Sequence, residues 1–315
     1  MFHGLKLRTH SHESRSRFIE VVVSKGIVLS ILASCLFGVL YYFTSLLRPL
    51  DGQEIFGWRI LISLPFMTLF ICLSGDWKWV PLIFERLRAR PALIPCVALT
   101  SFLVGVQLWM FMWGPLNGHG LDVSLGYFLL PLTMILTGRI VYGEHLSHLQ
   151  KIATGLAVLG VANELYRTGG FSWTTLVVAI GYPMYFVLRK KIGIDNLGGL
   201  WLDMLLMVPV ALWFVLAGEP VDLDAQRPAL YALVPLMGII SAAAGFAYIL
   251  ASRLLPFSLF GLLSYVEPVL LVAVALLLGD SLEAGQWLTY GPIWLAVAVL
   301  VLEGVKHVSR QRRLI

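Results

Sequence analysis

Apolar residues in this chain come in long runs, not in the narrow stripes of a soluble helix. Ten runs stand out, at 26–46, 54–74, 92–113, 121–141, 149–167, 173–188, 198–217, 228–252, 257–279 and 286–306. Most reach the ~20 residues that a helix needs to cross ~30 Å of hydrocarbon. The run at 173–188 is the shortest and contains Pro183. The pattern predicts an all-α integral membrane protein of ten transmembrane helices. Composition agrees, because 58% of residues are hydrophobic and only 13% are charged, about half the share of a soluble domain. No connecting segment is long enough for a separate soluble domain.

The net charge of +5 changes meaning once its residues are placed on this frame. With a cytoplasmic N-terminus, the inner side holds the Lys and Arg of 1–25, 75–91, 189–191 and 306–315, with Arg139, Lys151 and Arg253. The outer side holds Arg48, Arg167 and Arg227. Nineteen against three is the bias that sets orientation, and it predicts that both termini are cytoplasmic. It also explains the basic charge without nucleic acid as a partner. Residues 1–25 read as a polar, irregular cytoplasmic tail, and 307–315 as a basic one. Cys35, Cys72 and Cys96 all fall inside apolar runs, so no disulfide framework is expected.

The chain resembles itself. GYFLLPLTMILTGRIVYGEHLSHLQ at 126–150 matches SYVEPVLLVAVALLLGDSLEAGQ at 264–286. Tyr127 falls on Tyr265, Pro131 on Pro268, and Gly143-Glu144 on Gly279-Asp280. Span 4 therefore corresponds to span 9, which predicts two five-span units at 26–167 and 173–306. Five is odd, so the second unit enters the membrane inverted, a recurrent device of secondary transporters. Pro131 and Pro268 sit at similar mid-membrane depth. Each removes a backbone donor, and the pair is expected to serve as hinges.

The stretch VGVQLWMFMWGPLNGHGLDVSLGYFLLPLTMILTGRIVYGEHL, with Phe56-Gly57-Trp58-Arg59 and Arg189-Lys190-Lys191, resembles the EamA-type branch of the drug/metabolite transporter superfamily, and within it the RarD-like subgroup. The resemblance covers nearly all the chain after residue 25. It implies ten helices in two inverted repeats around a central cavity. Spans 3, 4, 8 and 9 would lie near that cavity and spans 5 and 10 at the periphery. It also implies export from the cytoplasm across a bacterial inner membrane. The chain departs from the subgroup at Leu129-Leu130, at Ser264-Tyr265 and at Glu267. Span 1 lacks the acid of the small multidrug relatives, so their proton mechanism does not transfer.

Arg59 and Glu267 are ionisable groups inside apolar runs, and such groups are functional candidates because hydrocarbon penalises them. Arg59 could snorkel to the interface, or bind an anionic group with its guanidinium fork. Glu267 could carry a proton or pair with a basic residue. Gln107, Trp109, Trp113, Tyr127, Tyr182, Tyr185, Tyr248 and Tyr265 are candidates for an aromatic, hydrogen-bonding cavity wall, or for packing alone. Glu164 and Arg167 read as a surface pair. His145 and His148 are too few to hold a metal. No Gly-rich nucleotide-binding loop is present, and neither cofactor nor metal is expected.

The expected function is a secondary transporter, not an enzyme. It would export a small metabolite or drug-like solute, driven by a proton gradient or by the solute's own, and act as a monomer or homodimer in the bilayer. An intramembrane lipid-modifying enzyme and a non-transporting receptor or regulatory subunit are the alternatives.

Overall fold

The computed structural model describes residues 3–47, 49–116, 119–169, 172–218, 228–277 and 284–312, and these are helical with no strand. The helices are α1 (His3–Leu46), α2 (Gly52–Leu73), α3 (Trp79–Ala89), α4 (Ile94–Leu116), α5 (Gly120–Tyr142), α6 (His148–Thr168), α7 (Trp173–Ile192), α8 (Leu197–Ala217), α9 (Leu230–Leu254), α10 (Phe257–Leu263), α11 (Val266–Leu277) and α12 (Trp287–Arg312). Among the described residues, five stretches are long and apolar enough to cross a membrane: Val21–Phe43, Gly52–Leu73, Pro91–Phe111, Leu197–Ala217 and Leu230–Leu254. Gly126–Tyr142, Phe257–Leu270 and Trp287–Leu300 are shorter apolar stretches.

Local chemistry sets the helix ends. Asp51 caps α2 by accepting from the backbone of Gln53 and Glu54 at 2.8 Å. Glu54 returns a bond from the Asp51 N–H at 2.9 Å, completing a capping box. Ser147 and Gln150 do the same for α6. Gly143 and Gly193 end α5 and α7 at φ of 66° and 69°, a left-handed turn that glycine adopts without steric cost.

Four expectations change. The polar N-terminal stretch is not irregular: it forms the first turns of α1, which runs unbroken from His3. The shortest run becomes a 20-residue helix, α7, because Arg189-Lys190-Lys191 continue it as its last turn. The run at 257–279 is broken into α10 and α11. Pro268 has no N–H for the Ser264 carbonyl, which instead accepts from Glu267 N at 3.2 Å. Pro131 leaves α5 continuous. Finally, the basic connection 75–91 carries α3, which buries Val80 and Ile83 and exposes Leu82 and Phe84.

Helix packing follows a regular scheme. α1 packs on α9 and α4 on α7; α2 packs on both α8 and α9, and α4 also on α8. α5 packs on α7 and α10, α1 on α10 and α11, and α6 on α12. Glycines permit the closest approaches: a Cβ on Gly160 in α6 would lie 2.5 Å from the Thr289 carbonyl oxygen of α12.

Candidate functional site

A cavity lies at the centre of this packing, with walls from α1, α2, α4, α5, α7, α8, α9 and α11. Among the described residues, α6 and α12 contribute nothing to it, as expected for spans 5 and 10. Spans 1, 2, 6 and 7 line it as well, so it is broader than spans 3, 4, 8 and 9 alone. Most of the wall is apolar, including Phe37, Phe111, Met67, Met204 and Met207.

Six of the residues singled out in sequence meet here: Arg59, Tyr127, Tyr182, Tyr185, Tyr248 and Glu267. Arg59 stands in the second turn of α2, is buried, and donates from Nε to the Ser241 hydroxyl of α9 at 2.8 Å. Its terminal amino groups make no hydrogen bond among the described residues. Glu267 lies in the first turn of α11, directly after the break, where the helix dipole favours an acid. Its carboxylate has no hydrogen-bond partner among the described residues. No ion pair joins Arg59 and Glu267, although they face one cavity. The cavity therefore presents a cation and an anion that do not neutralise each other by contact. Tyr127 and Tyr182 meet with ring centroids 6.4 Å apart, and Tyr248 meets Phe260 at a tilt, with centroids 4.8 Å apart.

The other four candidates stand outside this wall. Gln107 is fully buried and donates to the Val177 carbonyl at 2.9 Å, tying α4 to α7. Gly181 makes room for it, since a Cβ there would collide with the Gln107 amide nitrogen. Trp109 and Trp113 stack on each other at 4.9 Å, and Trp113 stacks on His119 at 5.3 Å. Tyr265 is buried and donates its hydroxyl to the Phe128 carbonyl at 2.9 Å. That bond fastens the broken span to α5. Pro131 and Pro268 are buried and do not line the cavity.

Sequence reasoning overlooked Asp203. It is fully buried in the second turn of α8 and forms an ion pair with Arg189. The sequence groups Arg189 with the cytoplasmic basic run, but it is only 1% exposed. Its second amino group donates to the carbonyls of Ile194 and Asn196 at 2.9 and 2.8 Å. Asp203 also accepts from Thr100 at 2.8 Å, Ser101 at 3.2 Å and the Tyr185 hydroxyl at 3.1 Å. The signal was available, because Asp203 is an acid in an apolar run. Glu164 is also buried, unlike a surface pair: it bridges Arg167 at 3.4 Å and accepts from Thr289 of α12 at 2.8 Å. Among the described residues no group of three or more His, Cys, Asp and Glu could hold a metal. The side chain of Asp122, the acid that opens the run at 121–141, and residues 279–280 lie outside the described part.

Residues 24–163 match the EamA-like transporter family. The chain is 42% identical to the "Chloramphenicol-sensitive protein RarD" of Pseudomonas aeruginosa, over 93% of this chain and 98% of that protein. It is 40% identical to an uncharacterized transporter of Pasteurella multocida, over 91% of this chain and 99% of that one. The protein RarD of Salmonella typhimurium is 30% identical, over 89% and 96%. A crystal structure with a TM-score of 0.63 covers 89% of this chain and 96% of its own at 16% identity, a likeness of fold alone.

Proposed function

Since the chain belongs to the EamA-like transporter family, with RarD proteins among its relatives, we propose that this bacterial multi-pass membrane transporter is a secondary exporter working through the Arg59–Glu267 cavity. The observation that carries the reading is the pair of opposite charges, not in contact, within an otherwise apolar wall. Such a site suits an amphiphilic zwitterion. A carboxylate on the solute would take the free guanidinium amino groups of Arg59, and an ammonium would face Glu267. The apolar body would lie against the methionine and phenylalanine walls, since methionine adapts to varied shapes. Glu267 would also be the residue that exchanges a proton if transport is proton-coupled.

The architecture we propose is ten crossings in two inverted units, 26–167 and 173–306. They are flanked by cytoplasmic ends at 1–25 and 307–315 in the inner membrane. The packing scheme supports this. Exchanging α1 with α7, α2 with α8, α4 with α9, α5 with α10–α11 and α6 with α12 turns α1·α9 into α4·α7. It also turns α2·α9 into α4·α8, and α5·α7 into the contacts of α1 with α10 and α11. The contacts α2·α8, α5·α10 and α6·α12 map onto themselves. Two inverted units of similar energy can exchange conformations, which is how the cavity would face each side in turn.

Counterflow in proteoliposomes tests the reading, with a panel of apolar amino acids, zwitterionic and cationic drugs, and neutral drug-like solutes. Accelerated exchange of a zwitterion, lost in Arg59→Gln, is the expected result. Folded protein that exchanges no member of the panel would remove the proposal. Exchange of neutral solutes alone would remove the zwitterionic class.

A further inference from the structure

Among the described residues, the polar contacts that join the two halves of the chain on one side of the cavity include three sets. Arg86, in the last turn of α3, donates to the carbonyls of Ile192 and Gly193 at the end of α7, at 3.2 and 2.9 Å. Glu144, just past α5, accepts from the backbone N–H groups of Phe257 and Ser258 at the start of α10, both at 2.7 Å. Thr100 and Ser101 of α4 donate to Asp203 of α8. All three sit beside the α3–α4, α5–α6 and α7–α8 connections, which carry the basic clusters and are cytoplasmic in the proposed topology.

The third contact differs from the others because it reaches the cavity. Tyr185 forms part of the cavity wall, and its hydroxyl accepts from Arg189 at 2.5 Å while donating to Asp203. Arg189 in turn grips the α7–α8 turn through Ile194 and Asn196. One buried cluster thus touches the solute space, the facing half and the cytoplasmic turn together. A fold staple would need only the last two. On the opposite side, the related contact between a second-turn residue of the unit's second helix and the other half is a single bond, Arg59 to Ser241. Other bonds join the halves at that end, Gln107 to Val177 and Thr289 to Glu164, and neither of these reaches the cavity wall.

We propose that Asp203 and Arg189 are positioning residues for transport: they hold Tyr185 in the cavity wall and clasp α4 to α8, and this clasp must open for the cavity to meet the cytoplasm. The proposal rests on the transporter reading for its meaning, and its test does not depend on the substrate. A reporter cysteine is introduced as Gly245→Cys, a cavity position where a Cβ meets only Leu200 and Met67, both at 3.5 Å. Cys35, Cys72 and Cys96 are replaced by Ala. Labelling by a membrane-impermeant maleimide is then timed in right-side-out and inside-out vesicles.

The parent should label faster from the periplasmic side. Thr100→Val with Ser101→Ala removes the cross-half donors and leaves the Arg189–Asp203 pair intact. Labelling from the cytoplasmic side should then rise roughly three- to tenfold, the shift that loss of ordinary hydrogen bonds gives a two-state equilibrium. Periplasmic labelling should fall. Tyr185→Phe, which keeps the ring, should shift the rates in the same direction. Equal parent rates from both sides, or cytoplasmic rates unchanged in both variants at normal abundance, would overturn the proposal. If the rates shift but no solute exchanges in counterflow, the clasp stands and the transport reading fails.

Discussion

Arg59 and Glu267 bring opposite charges to one cavity without forming an ion pair, whereas Arg189 and Asp203 are in direct contact and almost wholly buried. The two pairs should answer differently to substitution. Breaking a buried pair strands a charge at a cost of about 3–5 kcal/mol. Asp203→Asn and Arg189→Gln should therefore each lower membrane abundance and melting temperature, and the double variant should recover part of both. Arg59→Gln and Glu267→Gln should each accumulate normally and lose roughly 10- to 100-fold in counterflow, the scale of one hydrogen bond to a charged group. Combining them should restore nothing. Recovery of abundance in that double variant, measured by fluorescence size-exclusion, would make the pair structural instead. A charge in an apolar run is legible in sequence, and Arg59 and Glu267 were found that way. Asp203 carried the same signal. It escaped because it lies near the start of its run, and because its partner Arg189 sits among lysines that count as loop charge. The apolar wall gave no signal at all. Lipid and cavity both accept Met, Leu and Phe, so neither face of these helices is marked by polarity.

At the scale of elements, the two matched prolines do different things. Pro131 stays within α5, while Pro268 accompanies a full break between α10 and α11. Sequence placed both at corresponding positions but could not say which would break its helix. The difference lies in what accompanies each proline. Ser264 turns its hydroxyl onto the Gly261 carbonyl at 2.6 Å and Tyr265 reaches across to Phe128 at 2.9 Å, so the freed backbone is held elsewhere. Broken helices are tolerated in membranes where protein surrounds the exposed backbone, and here the break sets Glu267 at the start of a helix facing the cavity. Pro268→Ala restores a donor for the Ser264 carbonyl and should fuse α10 to α11. Counterflow should fall more than tenfold, while Pro131→Ala, acting on an already continuous helix, should fall less. Hydrogen exchange over residues 264–269 gives an independent check. Protection there should rise in Pro268→Ala, and unchanged protection would show that Tyr265, not the proline, maintains the break.

For the whole molecule, orientation and repeat rest on different physics and must agree. The excess of Lys and Arg on one set of connections sets orientation during insertion. The exchange symmetry of the packing concerns the folded state. In the proposed architecture, five crossings per unit would invert the second unit, and two such units would return the chain to the side on which it began. The charge bias was legible in sequence even though Arg189 proved buried, because Lys190, Lys191, Arg86, Arg88 and Arg90 keep the adjoining connections basic. By length and composition alone, five stretches among the described residues are candidates to cross, so the further crossings we propose would depend on partners that cover their polar positions. Glu164 of α6 meets Thr289 of α12 in this way, and Asn163 reaches the same hydroxyl at 2.8 Å. Reporter fusions decide the count. A fusion after Ile315 and one before Val21 should both report the cytoplasm, and one after Gly218 the periplasm. Between Gly218 and the C-terminus lie α9, the broken α10–α11 span and α12, an odd number of crossings. If Gly218 and Ile315 report the same compartment, one of those three does not cross. The inverted pairing of α6 with α12, and the cytoplasmic position of the Asp203 clasp, would then fall with it.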